Sequence, residues 1–555
     1  MKNLIYIFIL IFTLFKVEGQ TNVSKPNKYN WNHIVSENEK VKLLSNKTVY
    51  VTGETLYFKV YVLSNNGYSG ISKQSYVYLY SPGNKKIKQI KLSVKNGISY
   101  GDFIIPSNVK TGNYKLVAVT RHSQNKSVIK SGIVDVFIIN PYNNAKAEVK
   151  NKDTILIHKL NMLPLAKEHF SKRQKISYDL KKLGIYEKGN YVVNVQKVDS
   201  LQWEKPKENI IDNLPIPNFI PEVRGELVSG KVVDNKNNAV VNKIISLSIT
   251  NNPTLFKNVE TNKQGEFYFN LYENYKSGNL VLNLIDKNIK DSVAVLLNEK
   301  KLSFKDRLQF YNLSFQDDIK NWIESQSLYT QIENIYFNRK RDSILPKNTV
   351  SKIYGENYNK YVLSDYTRFE TMQETFIEII LKAYVRIKKE TPKFYVRLPD
   401  KLDFFNVKLD PLILIDGNQI IDHKILYNFD PYQIKQINVV DDLYFYGSNV
   451  YRGVIDVQTT KGNFELKKKQ VNYKNNFPAP FPDKIYYQPD YMNKKTVLKH
   501  IPDFRTQLYW NPNVSEKQSD ISFYTSDVPG LFKIKMDGYT ENGKYILVEK
   551  YFVVE

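Results

Sequence analysis

The stretch VYVTGETLYFKVYVLS, residues 49–64, decides the fold class of this chain. β-Branched and aromatic side chains fill it, and such residues suit the pleated, half-buried surface of a strand. Gly53 interrupts the run early, so the segment reads as strand, turn, strand. YVYLY at Tyr76–Tyr80 reads as a further strand, and Ser81-Pro82-Gly83-Asn84 supplies turn chemistry after it. Lys86 to Val94 alternates, Gly101 to Ile105 continues as a strand, and TGNYKLVAV at 111–119 adds another. Short strands separated by turns every 8–12 residues or so predict an all-β sandwich over residues 44–141.

Working outward, the chain has 555 residues, room for several domains of about 100–200 residues each. Hydrophobic residues are 42% of it, and 41 Tyr and 29 Phe dominate the aromatic share, enough for each module to bury a core. There is no cysteine, which excludes disulfides, thiol nucleophiles, cysteine metal sites and lipid attachment to an N-terminal cysteine. The N-terminus reads as a secretory signal over 1–19. Lys2 gives a positive start, Leu4 to Phe15 is almost wholly apolar, and Gly19 follows. That run is shorter than the roughly 20 residues a membrane-spanning helix needs, so no transmembrane helix is expected in the mature chain. The net charge is +24. Two readings stand: attraction to an acidic surface, or a composition rich in Lys, Asn, Ile and Tyr with its basic residues scattered. Nucleic acid is not an expected partner of an exported chain.

Residues 142–224 hold strand-like runs such as YVVNV at 191–195 and close on a Pro-rich linker at Leu214–Pro221, which predicts a second β-sandwich. GKVVDNKNNAVVNKIISLS at 230–248 and VETNKQGEFYFNL at 259–271 predict a third over 225–297, with Gly265 permitting a tight turn. Over 298–369, Leu308, Tyr311, Leu313, Ile319, Trp322, Ile323 and Leu328 recur at roughly helical intervals, predicting a helical connector. Thr371 to Ile387 also reads as helix, with Phe376, Ile379, Ile380 and Tyr384 on one face. Leu412 to Ile415 reads as a buried strand turned by Asp416-Gly417. Asp430-Pro431 starts a short helix, Ile434 to Val440 is a strand, Tyr446-Gly447 turns it, and a last strand follows Gly453 up to Thr459. Residues 471–555 read as four or five strands of another Ig-like sandwich.

These patterns carry resemblances. Residues 44–141 resemble a macroglobulin-type β-sandwich; the thioester chemistry of protease-trapping macroglobulins needs a Cys, so only the scaffold carries over. Residues 225–297 resemble the carboxypeptidase regulatory-like domain, a seven-stranded accessory sandwich without peptidase activity. Residues 370–470 resemble the plug domain of TonB-dependent outer-membrane receptors, on Asp416, Gly417, Asp430, Pro431, Tyr446, Gly447 and Gly453 together. About 85 residues follow, whereas the 22-stranded receptor barrel needs over about 200, so the barrel and its transport role are not inherited. The module order is similar to that of large envelope proteins of Gram-negative bacteria. The expected fold class is therefore mainly β: tandem Ig-like or macroglobulin-like sandwiches, a small α+β plug-like domain and a helical connector.

The six histidines, His33, His122, His158, His169, His423 and His500, show no metalloprotease spacing, and no nucleophile elbow, P-loop or dinucleotide fingerprint is present. Asp317-Asp318 and Asp441-Asp442 read as turn or cap residues, because strand neighbours point to opposite faces. The expectation is a non-enzymatic protein without cofactor or metal, peripheral to the membrane, at the periplasmic face or surface of the outer membrane. It would be an accessory subunit docking on an outer-membrane β-barrel protein or complex. The alternative is a freestanding surface protein that binds glycans or proteases. The tail GLFKIKMDGYTENGKYILVEKYFVV, from Gly530, reads either as the closing strands of the last sandwich or as resembling a type IX secretion tail.

Overall fold

The computed structural model describes residues 38–555 apart from 126–131, 144, 150–152, 160–163, 181–186, 205–218, 273, 286–292, 299–307, 347–350, 400–408, 448, 467–470, 493–499 and 519. The signal expected at 1–19 and most of the Pro-rich linker lie outside these residues. The chain is mainly β.

The first sandwich follows the sequence pattern. One sheet joins Lys40–Ser45, Thr55–Ser64, Gly67–Tyr68 and Ile98–Ile104. The other is ordered Val49–Val51, Ile133–Ile139, Gly112–Val119, Gln74–Ser81, Lys85–Ser93. Leu56, Phe58, Val60 and Val62 point into its core against Val77, Leu79, Leu116 and Ile138. The alternate residues Lys59 and Tyr61 are just as buried, which a half-exposed strand does not explain. The outer face of Thr55–Ser64 is covered by another sandwich.

That second sandwich is composite. Gly189–Lys197 lies between Gly530–Thr540 and Gln507–Ser515, with Tyr545–Val554 and then Glu168–Phe170 completing the sheet beyond Gly530–Thr540. Lys175–Asp179 pairs with Asp520–Tyr524. The separate modules expected at 142–224 and 471–555 thus share one body, built from residues 168–197 and 507–554. Neither set of strands closes its own apolar face, and Ile176, Val193, Val195, Val514, Phe532 and Phe552 share one core. The tail after Gly530 supplies two full-length strands of this sandwich.

The third sandwich holds Glu226–Val233, Glu266–Leu271 and Ala294–Leu297 in one sheet. Phe256–Glu260, Ile244–Ile249 and Gly278–Ile285 form the other, extended by Val471–Phe477. Among the described residues this sandwich has seven strands, and the seventh comes from about 190–200 residues away, beyond the boundary expected at 297.

The stretch expected as a helical connector is only partly helical. Asn312–Phe315 is a strand, parallel to Thr154–Lys159, and Leu201–Trp203 pairs on that strand's other side. Helix α1, Lys320–Ile335, follows. Tyr311, Leu313 and Ile319 bury against Val49, Val51 and Phe137, so the roughly helical recurrence mixes a strand with a helix on one side of the first sandwich.

The last module is α+β. Its sheet runs Asn359–Val362, Ile434–Tyr446, Asn449–Thr459, Leu412–Ile415, Asn418–Ile420. Helix α2, Met372–Glu378, starts at a capping box in which Thr371 and Glu374 exchange hydrogen bonds. Helix α3 is His423–Tyr427. The helix expected through Ile387 ends at Glu378. Ala383–Lys388 is instead a strand paired with Thr391–Val396, because Val385 and Ile387 suit a ribbon and Phe394 supplies the partner that closes the core beneath it.

Candidate functional site

The seven residues expected to mark the plug-like module all act structurally. Asp416 (φ 48°) and Gly417 (φ 79°) form the turn between two strands. The buried Asp416 carboxylate accepts from the Thr459 hydroxyl, the Thr459 amide at 2.8 Å and the Phe464 amide at 3.0 Å. A Cβ on Gly417 would fall 2.5 Å from the Leu255 carbonyl oxygen, so glycine allows the third sandwich to approach. Asp430 caps the single helical turn Pro431–Gln433, accepting from the Tyr432 amide at 2.9 Å. Gly447 and Gly453 have positive φ in the 434–459 hairpin. Tyr446 packs on Phe256 at 5.4 Å between ring centroids and donates to its carbonyl at 3.2 Å. Asp416 and Gly453 hold the module itself together; Gly417 and Tyr446 hold it to the third sandwich. Asp318 accepts from the Lys159 amide at 3.1 Å, and Asp441 pairs with Lys382 at 2.7 Å, so neither acidic pair faces a second carboxylate across a site. His423 accepts from the Phe394 amide at 2.9 Å. Among the described residues no group of three His, Asp or Glu side chains is placed to hold a metal ion.

A cleft of about 240 Å³ opens elsewhere, where the first sandwich, helix α1, the composite sandwich and the segment 484–488 meet. Gly53, with φ 91°, brings its turn against α1, and Asn334 donates to its carbonyl at 3.2 Å. Gln326 of α1 is buried and donates to Glu54 at 2.5 Å and to Thr506 at 3.2 Å. Lys47 closes an ion pair with Glu54 at 2.6 Å. On another wall Lys484 bridges Asp102 at 2.7 Å and Asp342 at 2.8 Å. Burial pushes the Asp102 carboxyl up, with Lys484 opposing the shift. Glu333 pairs with Lys340 at 2.7 Å, and Arg505 grips Asp503 through two bonds at 2.7 and 2.8 Å. Burial pushes the Asp503 carboxyl up, but the Arg505 guanidinium outweighs it and holds it below its ordinary value. Burial also lowers the Lys197 ammonium.

Between these ion pairs stands an aromatic cluster. Tyr57 meets Tyr486 at 5.4 Å and Trp510 at 5.5 Å. Trp510 is 4% exposed, yet among the described residues its indole N–H has no partner, and neither has the side-chain oxygen of Gln488. A buried donor without an acceptor costs free energy, and buried side-chain atoms elsewhere, such as those of Thr52 and Gln74, stand in the same position. None of the cluster residues was singled out in the sequence: Tyr57 lies more than 400 residues from Tyr486 and Trp510, and no local spacing links the three.

No protein-family model matches the chain, and no curated protein is similar to it. Among solved structures, Escherichia coli alpha-2-macroglobulin activated by porcine elastase is 9% identical, with 93% of this chain and 44% of that one covered and a TM-score of 0.23. The native form of the E. coli protein gives 8% identity, 93% and 40% coverage and a TM-score of 0.24. The CARDB domain of the PF1109 protein from Pyrococcus furiosus covers 19% of this chain, with 94% of its own length, at 18% identity and a TM-score of 0.14. The chain spans less than half the length of these macroglobulins. At such scores the likeness carries no functional argument.

Proposed function

We propose that this chain is an exported, non-enzymatic interaction protein of the bacterial envelope. It acts as an accessory subunit docking on an outer-membrane β-barrel complex for import, secretion or barrel assembly, at the periplasmic face or cell surface. The observation that carries the reading is the 434–459 hairpin. Beyond Val440 and Val454 its strands pair with each other, from Leu443–Arg452 to Tyr446–Asn449, and the Arg452 amide also bonds the Asp410 carbonyl at 3.0 Å. Phe445 and Val450 sit opposite one another and are exposed, while Tyr444 and Tyr446 pack their side of the ribbon toward Phe256. Such a ribbon offers strand edges and an apolar pair to another β protein. The likeness of residues 370–470 to barrel-associated plug domains points the same way. Among the described residues no helix is long and apolar enough to cross a membrane.

The test is affinity purification of the tagged native protein from detergent-solubilised envelopes, with mass spectrometry of what accompanies it. A barrel protein at comparable abundance supports the reading. Recovery of the chain alone overturns it and favours the freestanding alternative, in which the cleft at Trp510 takes a polar ligand such as a glycan.

A further inference from the structure

A second projecting element, the 383–396 hairpin, has a different chemistry. Its inner face carries Ala383, Phe394 and Val396 into the core. Its outer face carries Tyr384, Arg386 and Lys388 beside Tyr395, Lys393 and Thr391. Tyr384 and Tyr395 stack at 5.4 Å, with the Arg386 and Arg397 guanidiniums 5.0 and 5.3 Å from the Tyr384 ring. Arg386 stands directly opposite Lys393, an arrangement of like charges that weakens a ribbon on its own. Lys393 is answered by Asp410 at 2.5 Å, whereas no carboxylate among the described residues pairs with Arg386 or Arg397. At the tip, Ile387 is 51% exposed on the face opposite Arg386 and Lys388, and Lys389 and the acidic Glu390 follow it. Lys389 and Glu390 both take positive φ, 46° and 58°, closing the hairpin in two residues, so the tip is short and stiff.

We propose that this hairpin seats on the anionic headgroups of a bilayer, with Ile387 entering the acyl boundary. Cations on one face with no carboxylate partner among the described residues call for an anionic partner. The isolated apolar tip selects a bilayer over an acidic polymer, because Ile387 gains only where hydrocarbon is within reach. The stacked tyrosines begin three residues up the strand, about 10 Å from the tip, the depth at which amphipathic rings sit among headgroups. This goes beyond the barrel-docking reading and does not depend on it.

The experiment is vesicle flotation of the full chain on phosphatidylglycerol–phosphatidylcholine (1:3) against pure phosphatidylcholine. Binding is expected on the anionic vesicles only. The triple variant R386Q/K388Q/K389Q is expected to lose affinity on the order of a hundredfold, each cation near the surface contributing about fivefold. K85Q/K86Q/K88Q, which removes equal charge from the exposed edge strand Lys85–Ser93, is expected to stay within about threefold of the parent. Ile387→Trp reports insertion by a blue shift of its emission on the anionic vesicles. No binding to these vesicles, or equal losses in both triple variants, overturns the proposal. An unshifted Ile387→Trp with binding to soluble dextran sulfate as tight as to vesicles overturns it in favour of an acidic polymer.

Discussion

The hydroxyl of Tyr76 donates to both carboxylate oxygens of Glu222, at 2.9 and 3.0 Å, across the joint between the first and third sandwiches. The Leu227 amide adds a bond at 3.0 Å and Arg121 approaches to 3.4 Å. Burial nevertheless pushes the Glu222 carboxyl up to about 7.

A carboxyl raised on folding contributes stability that is fully present below its unfolded value and is lost as pH rises through the folded one. Glu222 therefore makes the chain less stable at pH 8 than at pH 5, with a slope approaching about 1.4 kcal/mol per pH unit between its unfolded and folded values. Thermal unfolding at both pH values checks this. Glu222→Gln keeps the acceptor for Tyr76 and is expected to flatten the difference.

Lys59 is wholly buried, donating to Asn190 and, at 3.2 Å, to the Tyr191 carbonyl; among the described residues no carboxylate pairs with it directly, and Asp537 acts on it only at longer range. Burial lowers its ammonium well below the ordinary range. A cation depressed in this way costs stability as pH falls from the unfolded value toward the folded one. Lys59→Met is expected to be neutral or stabilising by about 1 kcal/mol at pH 7, read by urea unfolding. A loss above about 2 kcal/mol would show that the hydrogen bonds outweigh the desolvation.

Gly417→Ala meets both a positive φ and the Leu255 carbonyl oxygen, whereas Gly355→Ala meets a positive φ of 70° with open space around it. The first is expected to cost about 2–3 kcal/mol and the second about 1. Thermal shift of the two variants separates backbone strain from lost contact with the third sandwich.

Deleting residues 530–555 removes the strand that lies along the whole of Gly189–Lys197. Residues 168–197 should then lose protection from trypsin along with the C-terminal strands, while the 359–466 module keeps its own. Were 142–224 a self-sufficient sandwich, it would survive the truncation, and peptide mapping of the digest distinguishes the two.

Trp510→Phe relieves the cost of a buried N–H, about 1–3 kcal/mol, against the packing lost with the smaller ring, so the ligand-free chain should change by no more than about 2 kcal/mol in thermal unfolding. Any glycan found to bind the cleft should lose affinity.

Local chemistry was legible throughout. The alternation at Leu56, Phe58, Val60 and Val62 marks a core-facing strand, Asp430-Pro431 a capped turn, and Asp416-Gly417 a reversal, and each forms in place. The misreadings lay where a pattern served two partners. Residues 371–387 follow a helical period for a turn and then a ribbon, and Tyr311 to Trp322 spans a strand and a helix that share one core.

What the sequence determined by itself is therefore the class of most segments, because strand, turn and cap preferences act over a few neighbouring residues. Which strands share a sheet was decided only by the tertiary structure. Gly189–Lys197 finds its partners more than 300 residues away, and Gly278–Ile285 finds Val471–Phe477. An apolar strand face shows that it must be covered but not by what. The cleft around Tyr57, Tyr486 and Trp510 exists only because those distant pairings bring three bodies together.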